Sequence, residues 1–154
     1  LLSLYNAKRL SKQFTDMKIV NSNSIYYSYW SNDSAIALAL LKNNENIKCF
    51  SRIHGWDVFF GPSSYDYLPY RSFISQNLDG IYSISQEGIN YCNNYWKIKN
   101  KSVLKLSRLG VKKGTYFDEN SANFHVVSCS RLISLKRVDL LIHSLAKIKF
   151  GCLK

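Results

Sequence analysis

The chain has 154 residues, 46% of them hydrophobic and 14% aromatic, with a formal net charge of +11 from 21 basic and 10 acidic residues. That size and apolar content allow a packed core and exclude a disordered polar chain, yet fall short of two complete α/β domains. No run approaches the roughly 20 apolar residues of a membrane-spanning helix, and the opening segment carries Lys8, Arg9 and Lys12 where a secretory signal would be apolar.

The chain opens on Leu1 and Leu2, and its one methionine is Met17, so a natural start further upstream is expected. Residues 1–14 set Leu1, Leu4, Tyr5, Leu10 and Phe14 at roughly helical spacing. The aromatic run 24–30 predicts a first strand. Asn32, Asp33 and Ser34 are N-cap residues for a helix reaching about Asn43, followed by a turn and a second strand over 47–53. The loop His54-Gly55-Trp56-Asp57 comes next. A helix is expected over 67–76, with Pro69 in its first turn, then a third strand over 79–84, a helix over 86–95 and a short strand over 103–106. Residues 110–123 have no apolar period and read as a linker, and a strand over 124–130 and a helix over 135–149 follow it.

Alternating strands and helices with short connections predict an α/β fold, a parallel sheet covered by helices on both faces. The expected organisation is a partial doubly wound domain over 1–109, a linker over 110–123, and the first strand–helix unit of a second domain over 124–154. One such unit cannot bury its own faces, so the second domain is expected to be incomplete here.

Open α/β sheets bind ligands at the carboxyl ends of their strands. Three polar groups fall there: Arg52, His54, Gly55 and Asp57 after the second strand; Ser85 after the third; and Ser130, Arg131 and Lys136 after the strand that opens the second domain. Gly55 lets the chain turn tightly and leave the His54 imidazole at the sheet edge, where it either binds a sugar hydroxyl or merely caps the strand. Arg131 and Lys136 flank a strand-to-helix loop. They either face a diphosphate, one as a fork and one as a point charge, or are ordinary surface residues. Tyr65, Tyr67, Tyr70 and Phe73 read as helix core or as a sugar-stacking stretch. His125 and His143 read as structural, and Asp139 complements a helix dipole. No metal-ligand spacing, glycine-rich phosphate loop or nucleophile elbow is present. The four cysteines form no CxxC pair and read as reduced structural thiols, with Cys49 and Cys129 in strands. For the positive charge, nucleic acid, an anionic membrane surface and plain compositional bias are the open readings. The lysines are dispersed, which speaks against nucleic acid.

The stretches Arg52-Ile53-His54-Gly55-Trp56-Asp57-Val58, Tyr67-Leu68-Pro69-Tyr70-Arg71 and Leu78-Asp79-Gly80-Ile81-Tyr82-Ser83-Ile84-Ser85-Gln86-Glu87-Gly88 resemble bacterial family-four glycosyltransferases of the GT-B fold, builders of capsule, O-antigen or exopolysaccharide. Ser107-Arg108-Leu109-Gly110-Val111, Val126-Val127-Ser128-Cys129-Ser130-Arg131-Leu132 and Lys136-Arg137-Val138-Asp139-Leu140-Leu141-Ile142 are similar to that family's interdomain boundary and to the start of its donor domain. The likeness covers roughly residues 24–148.

The resemblance implies a GT-B-type, Rossmann-like sheet and a hexosyltransferase activity. That activity is a retaining transfer from a nucleotide-diphospho-sugar to a saccharide or lipid-linked acceptor, without cofactor or required metal. It implies His54 beside the transferred sugar, Arg131 and Lys136 on the departing diphosphate, and Arg52, Gly55, Asp57, Ser85 and Ser130 lining the cleft. A cytoplasmic location, with peripheral contact to an anionic inner membrane face, goes with that reading. The family's glycine-rich opening and its later pair of glutamates have no counterpart in these residues, so this chain alone is expected to be inactive. An inactive remnant of a disrupted gene and a basic nucleic-acid-binding module are the alternative readings.

Overall fold

The computed structural model describes residues 2–61, 67–114 and 126–148. Its four strands are β1 (Ile25–Ser28), β2 (Lys48–Ile53), β3 (Gly80–Ser83) and β4 (Leu104–Leu106). They pair in that order, all parallel, as one sheet. Its helices are α1 (Leu2–Asp16), α2 (Asp33–Asn44), α3 (Arg71–Asn77), α4 (Gln86–Tyr95) and α5 (Val138–Lys147). The fold is therefore α/β, a four-stranded parallel sheet with flanking helices. The chain divides into two units, Leu1–Lys112 and Lys113–Lys154.

Local chemistry explains most of the element boundaries. Asn32 caps α2 by accepting the Ser34 N–H at 3.0 Å, and Asp33 stands in the first turn where the helix dipole favours negative charge. Ser3 of α1 donates to the Asp33 carboxylate, and Asn6 does so at 3.0 Å, which ties the two helices together. Residues 67–70 stay outside α3, contrary to the expected helix over 67–76. Pro69 disfavours helical backbone at Leu68, and Tyr70 is left-handed with φ 63°.

The core lies between the sheet and its helices. Ala35, Ile36, Ala37, Leu38, Ala39 and Leu41 of α2 are buried along with Cys49, Ile53, Ile74, Ile81 and Trp96. Each fully buried isoleucine contributes about 1.5–3 kcal/mol. Arg71 is buried too, its guanidinium carbon 5.3 Å from the centre of the Trp96 ring.

The register separates the two faces of the sheet. Ser51 pairs with Ser28 and Ile81, and Ile53 pairs with Ser83; all five side chains are buried. The alternate positions Ile25, Tyr27, Phe50, Arg52, Tyr82 and Lys105 are half-buried or exposed, with Ile25 at 68%. So among the described residues one face is covered, not the expected two. Strands added in one direction by right-handed crossovers collect their connecting helices on a single side.

In the second unit, residues 126–130 have no strand conformation, contrary to the strand expected over 124–130; residues 124 and 125 lie outside the described residues. A strand is stable only when a neighbour takes its N–H and C=O groups, and no strand of that unit is present among the described residues to do so. The helix expected over 135–149 begins at Val138, after a 3-10 turn at Ser134–Lys136 and a left-handed Arg137. Cys49 and Cys92 are buried free thiols, whereas Cys129 is exposed and not in a strand. No helix among the described residues is long and apolar enough to cross a membrane.

Candidate functional site

The carboxyl ends of β1 and β2 bring the chemistry-bearing side chains of the first unit together. β1 ends at Ser28, so Tyr29, Trp30 and Ser31 form the loop into α2. β2 ends at Ile53, so His54 is the first residue past the edge. Asp57 joins the two loops. It is fully buried and accepts the Ser31 N–H at 2.9 Å on Oδ2 and the His54 N–H at 2.6 Å on Oδ1. A carboxylate bonded to two backbone N–H groups is a rigid strut between loops.

His54 is only 8% exposed. Its ring centre lies 4.1 Å from that of Trp30 and 4.9 Å from that of Tyr29. Trp56 packs 5.3 Å from Trp30. Neither imidazole nitrogen has a hydrogen-bond partner among the described residues, nor has the buried Ser31 hydroxyl. A buried polar atom left unpaired costs about 1–3 kcal/mol, so this edge holds unsatisfied bonding capacity. Burial lowers the His54 pKa below its ordinary 6.5, outweighing the opposing Asp57 carboxylate, and Arg52 adds to the lowering. The ring is therefore neutral at pH 7, with one nitrogen a donor and the other an acceptor.

The other expected site residues have different fates. Arg52 lies along the uncovered face of the sheet. Its Nε donates to the Tyr27 hydroxyl at 2.8 Å, and its two terminal nitrogens donate to the Ser107 carbonyl and hydroxyl, each at 3.0 Å. It laces β1 to the chain beyond β4 and does not point an unpaired fork into a cleft. Asp57 is internal and presents no surface to a ligand. Gly55 is exposed, has open space where a Cβ would stand and has no positive φ, so no backbone strain demands glycine there. Ser85 is the N-cap of α4, its hydroxyl accepting the Gly88 N–H at 3.1 Å. Ser130, Arg131 and Lys136 are exposed residues of the second unit, and Lys136 sits in the 3-10 turn ahead of α5.

Tyr70 and Phe73 pack against the core, in line with the helix-core reading, while Tyr67 is 59% exposed; Tyr65 lies outside the described residues. His143 is exposed on α5, and His125 lies outside the described residues. Tyr29, Trp30 and Ser31 are site residues that sequence reasoning missed, and Trp56 was placed in the loop after the second strand without a role. The signal was present: reading the aromatic run as a strand to residue 30 hid that the strand stops at Ser28, which leaves Tyr29 and Trp30 on the loop.

A groove of about 390 Å³ lies beside this cluster, lined by Leu10, Phe14, Tyr27, Tyr29, Trp30 and Leu38 among others. A concavity of about 440 Å³ lies elsewhere, along the end of α3, the start of β3 and the approach to β4, where Asp79, Lys99 and Asn100 line it. Among the described residues no group of three or more His, Cys, Asp or Glu side chains is placed to hold a metal ion. No protein-family model, curated protein or solved structure matches the chain.

Proposed function

We propose that the chain is part of a glycosyltransferase of the GT-B type, with its first unit on the acceptor side. The observation that carries this reading is the neutral, buried imidazole of His54. It stands with both nitrogens unpaired among the described residues, at the carboxyl edge of a parallel sheet, against exposed aromatic rings. Ligands of open α/β sheets gather at that edge, and a neutral imidazole bonds hydroxyl groups as donor and acceptor alike. The sequence resemblance at residues 52–58 supports the same assignment.

In this reading a nucleotide-diphospho-sugar gives up its sugar to a saccharide or lipid-linked hydroxyl with retention, and no metal or cofactor takes part. The bond from the anomeric carbon to the diphosphate oxygen breaks, the acceptor oxygen bonds to that carbon, and the acceptor proton leaves with the diphosphate. His54 holds a hydroxyl of the reacting sugar. Arg131 and Lys136 neutralise the charge growing on the diphosphate. Peripheral contact with an anionic membrane belongs to the same proposal, and nucleic acid is not a partner in it.

The test is release of nucleoside diphosphate from UDP-, GDP- and dTDP-sugars in the presence of saccharide and lipid-linked acceptors. In a full-length version of the protein, Arg131→Ala and Lys136→Ala should each reduce turnover by on the order of 100-fold. Near-normal turnover in both variants would remove those residues from the mechanism. No release with any donor from a longer chain that contains this one would overturn the reading.

A further inference from the structure

Arg71 opens α3 and is only 6% exposed, yet nothing among the described residues pairs with its charge. The ion pairs there are Lys42 with Asp79 and Arg137 with Asp139. The Arg71 Nε is closed off from solvent and has no hydrogen-bond partner. The two carboxylates whose fields reach this guanidinium are taken. Asp57 accepts two backbone N–H groups, and Asp33 accepts from Ser3 and Asn6. The Trp96 ring, 5.3 Å from the guanidinium carbon, offers a π face and no acceptor oxygen. Burial pushes the Arg71 pKa down to about 10, with Asp57 the largest opposing pull, so the group is still charged at pH 7.

A buried cation without a counter-ion is costly, and a planar fork of N–H donors matches the oxygens of an anion. Arg71 lines a cavity of about 180 Å³ together with Ser72, Tyr95, Trp96 and Lys97, among others. The Ser72 hydroxyl accepts from the Gln76 side-chain amide at 2.8 Å and keeps its own O–H to donate. No carboxylate lines the cavity. Pockets for drug-sized ligands run to roughly 300–1,000 Å³, so this one suits a small ion or a single headgroup. Two cations beside one hydroxyl donor match a charge of about −1.5 to −2, which a phosphate monoester carries at neutral pH. A carboxylate, with one charge, would leave one of the two cations unmatched.

We propose that this cavity is a phosphate-binding site, with Arg71, Lys97 and Ser72 as its donors. The site is independent of the transferase reading: it needs neither His54 nor Arg131 and Lys136, and it stands or falls without any sugar transfer.

Thermal midpoints of the whole chain read this out, measured in millimolar inorganic phosphate or glycerol 3-phosphate against sodium chloride of matched ionic strength. A ligand that binds only the folded chain raises its midpoint in a concentration-dependent way. The expected result is a rise with the phosphates beyond that in chloride. Lys97→Ala should weaken the apparent affinity about tenfold. Lys8→Ala, which removes an exposed lysine of α1, should leave it unchanged. Phosphorus NMR should show the ligand resonance broadened by the wild-type chain and not by Arg71→Met. Should Arg71→Met fail to fold, the Lys97 and Lys8 variants decide the matter. No rise beyond chloride, an undiminished response in Lys97→Ala, or an equal loss in Lys8→Ala would overturn the site. A tighter response to glycerol 3-phosphate identifies a soluble phosphomonoester as the occupant, and a tighter response to inorganic phosphate identifies the free ion; either keeps the site.

Discussion

Asp57 and His54 show how a residue's chemistry depends on what surrounds it. Asp57 has no exposed surface and takes two buried N–H groups. Asp57→Ala should therefore destabilise the chain by about 2–5 kcal/mol, because two buried donors lose their partners at once; chemical denaturation measures this. His54 is the pH-sensitive group of the same loop. Its folded-state pKa lies below 6.5, burial being the main cause. Below that pH the unfolded chain binds more protons than the folded one, so stability falls as pH falls under about 6.5 and is restored as pH rises through it. Denaturation midpoints between pH ~5 and ~7 should show this slope in the wild type and a flatter one in His54→Gln. From sequence, His54 and Asp57 look alike, two polar residues past a strand. Both are buried, and what separates them is that Asp57 has its hydrogen-bond partners while the His54 nitrogens have none among the described residues.

Among the elements, α4 illustrates how tightly a helix start is specified. The Ser85 hydroxyl caps it at Gly88 N–H, and the Ser83 hydroxyl donates to the Ser85 carbonyl at 2.8 Å. Ser85→Ala should cost about 1 kcal/mol, the usual loss for an N-cap. A Cβ on Gly88 would stand 2.5 Å from the Ser83 Oγ. Gly88→Ala should therefore destabilise the chain, although alanine is favoured over glycine by about 1 kcal/mol in an unconstrained helix. Thermal melts of the two variants check both outcomes. A gain in stability for Gly88→Ala would mean that the β3–α4 turn can relax. The sequence placed this helix over 86–95 but read Ser85 as lining a cleft, not as its cap. The close approach of Gly88 to β3 was not legible, since it arises from the turn folding back on the strand.

At the scale of the whole molecule, the buried core among the described residues lies within the first unit. In the second unit the described apolar side chains are exposed or half-buried, with Leu140 at 47% and Ile142 at 61%. Isolated helices below about 12–15 residues are marginal in water, and α5 has 10 residues. A chain ending at Lys112 should therefore melt within error of the full chain, and α5 amides should exchange fastest of all the helical ones. A clear drop in midpoint on truncation would contradict this.

The sequence by itself determined the α/β alternation, the four strand positions to within a few residues and the capping of α2. Each of these depends on neighbours a few positions apart. It also pointed to residues 52–57 as the place to look for chemistry. Tertiary structure alone decided that one face of the sheet stays open, that Arg52 and Asp57 are consumed by protein partners, and that Tyr29 and Trp30 pack on His54 with Trp56 against Trp30. Those outcomes hinge on strand register and on contacts between residues tens of positions apart. Local periodicity carries no information about which long-range partner will claim a hydrogen bond.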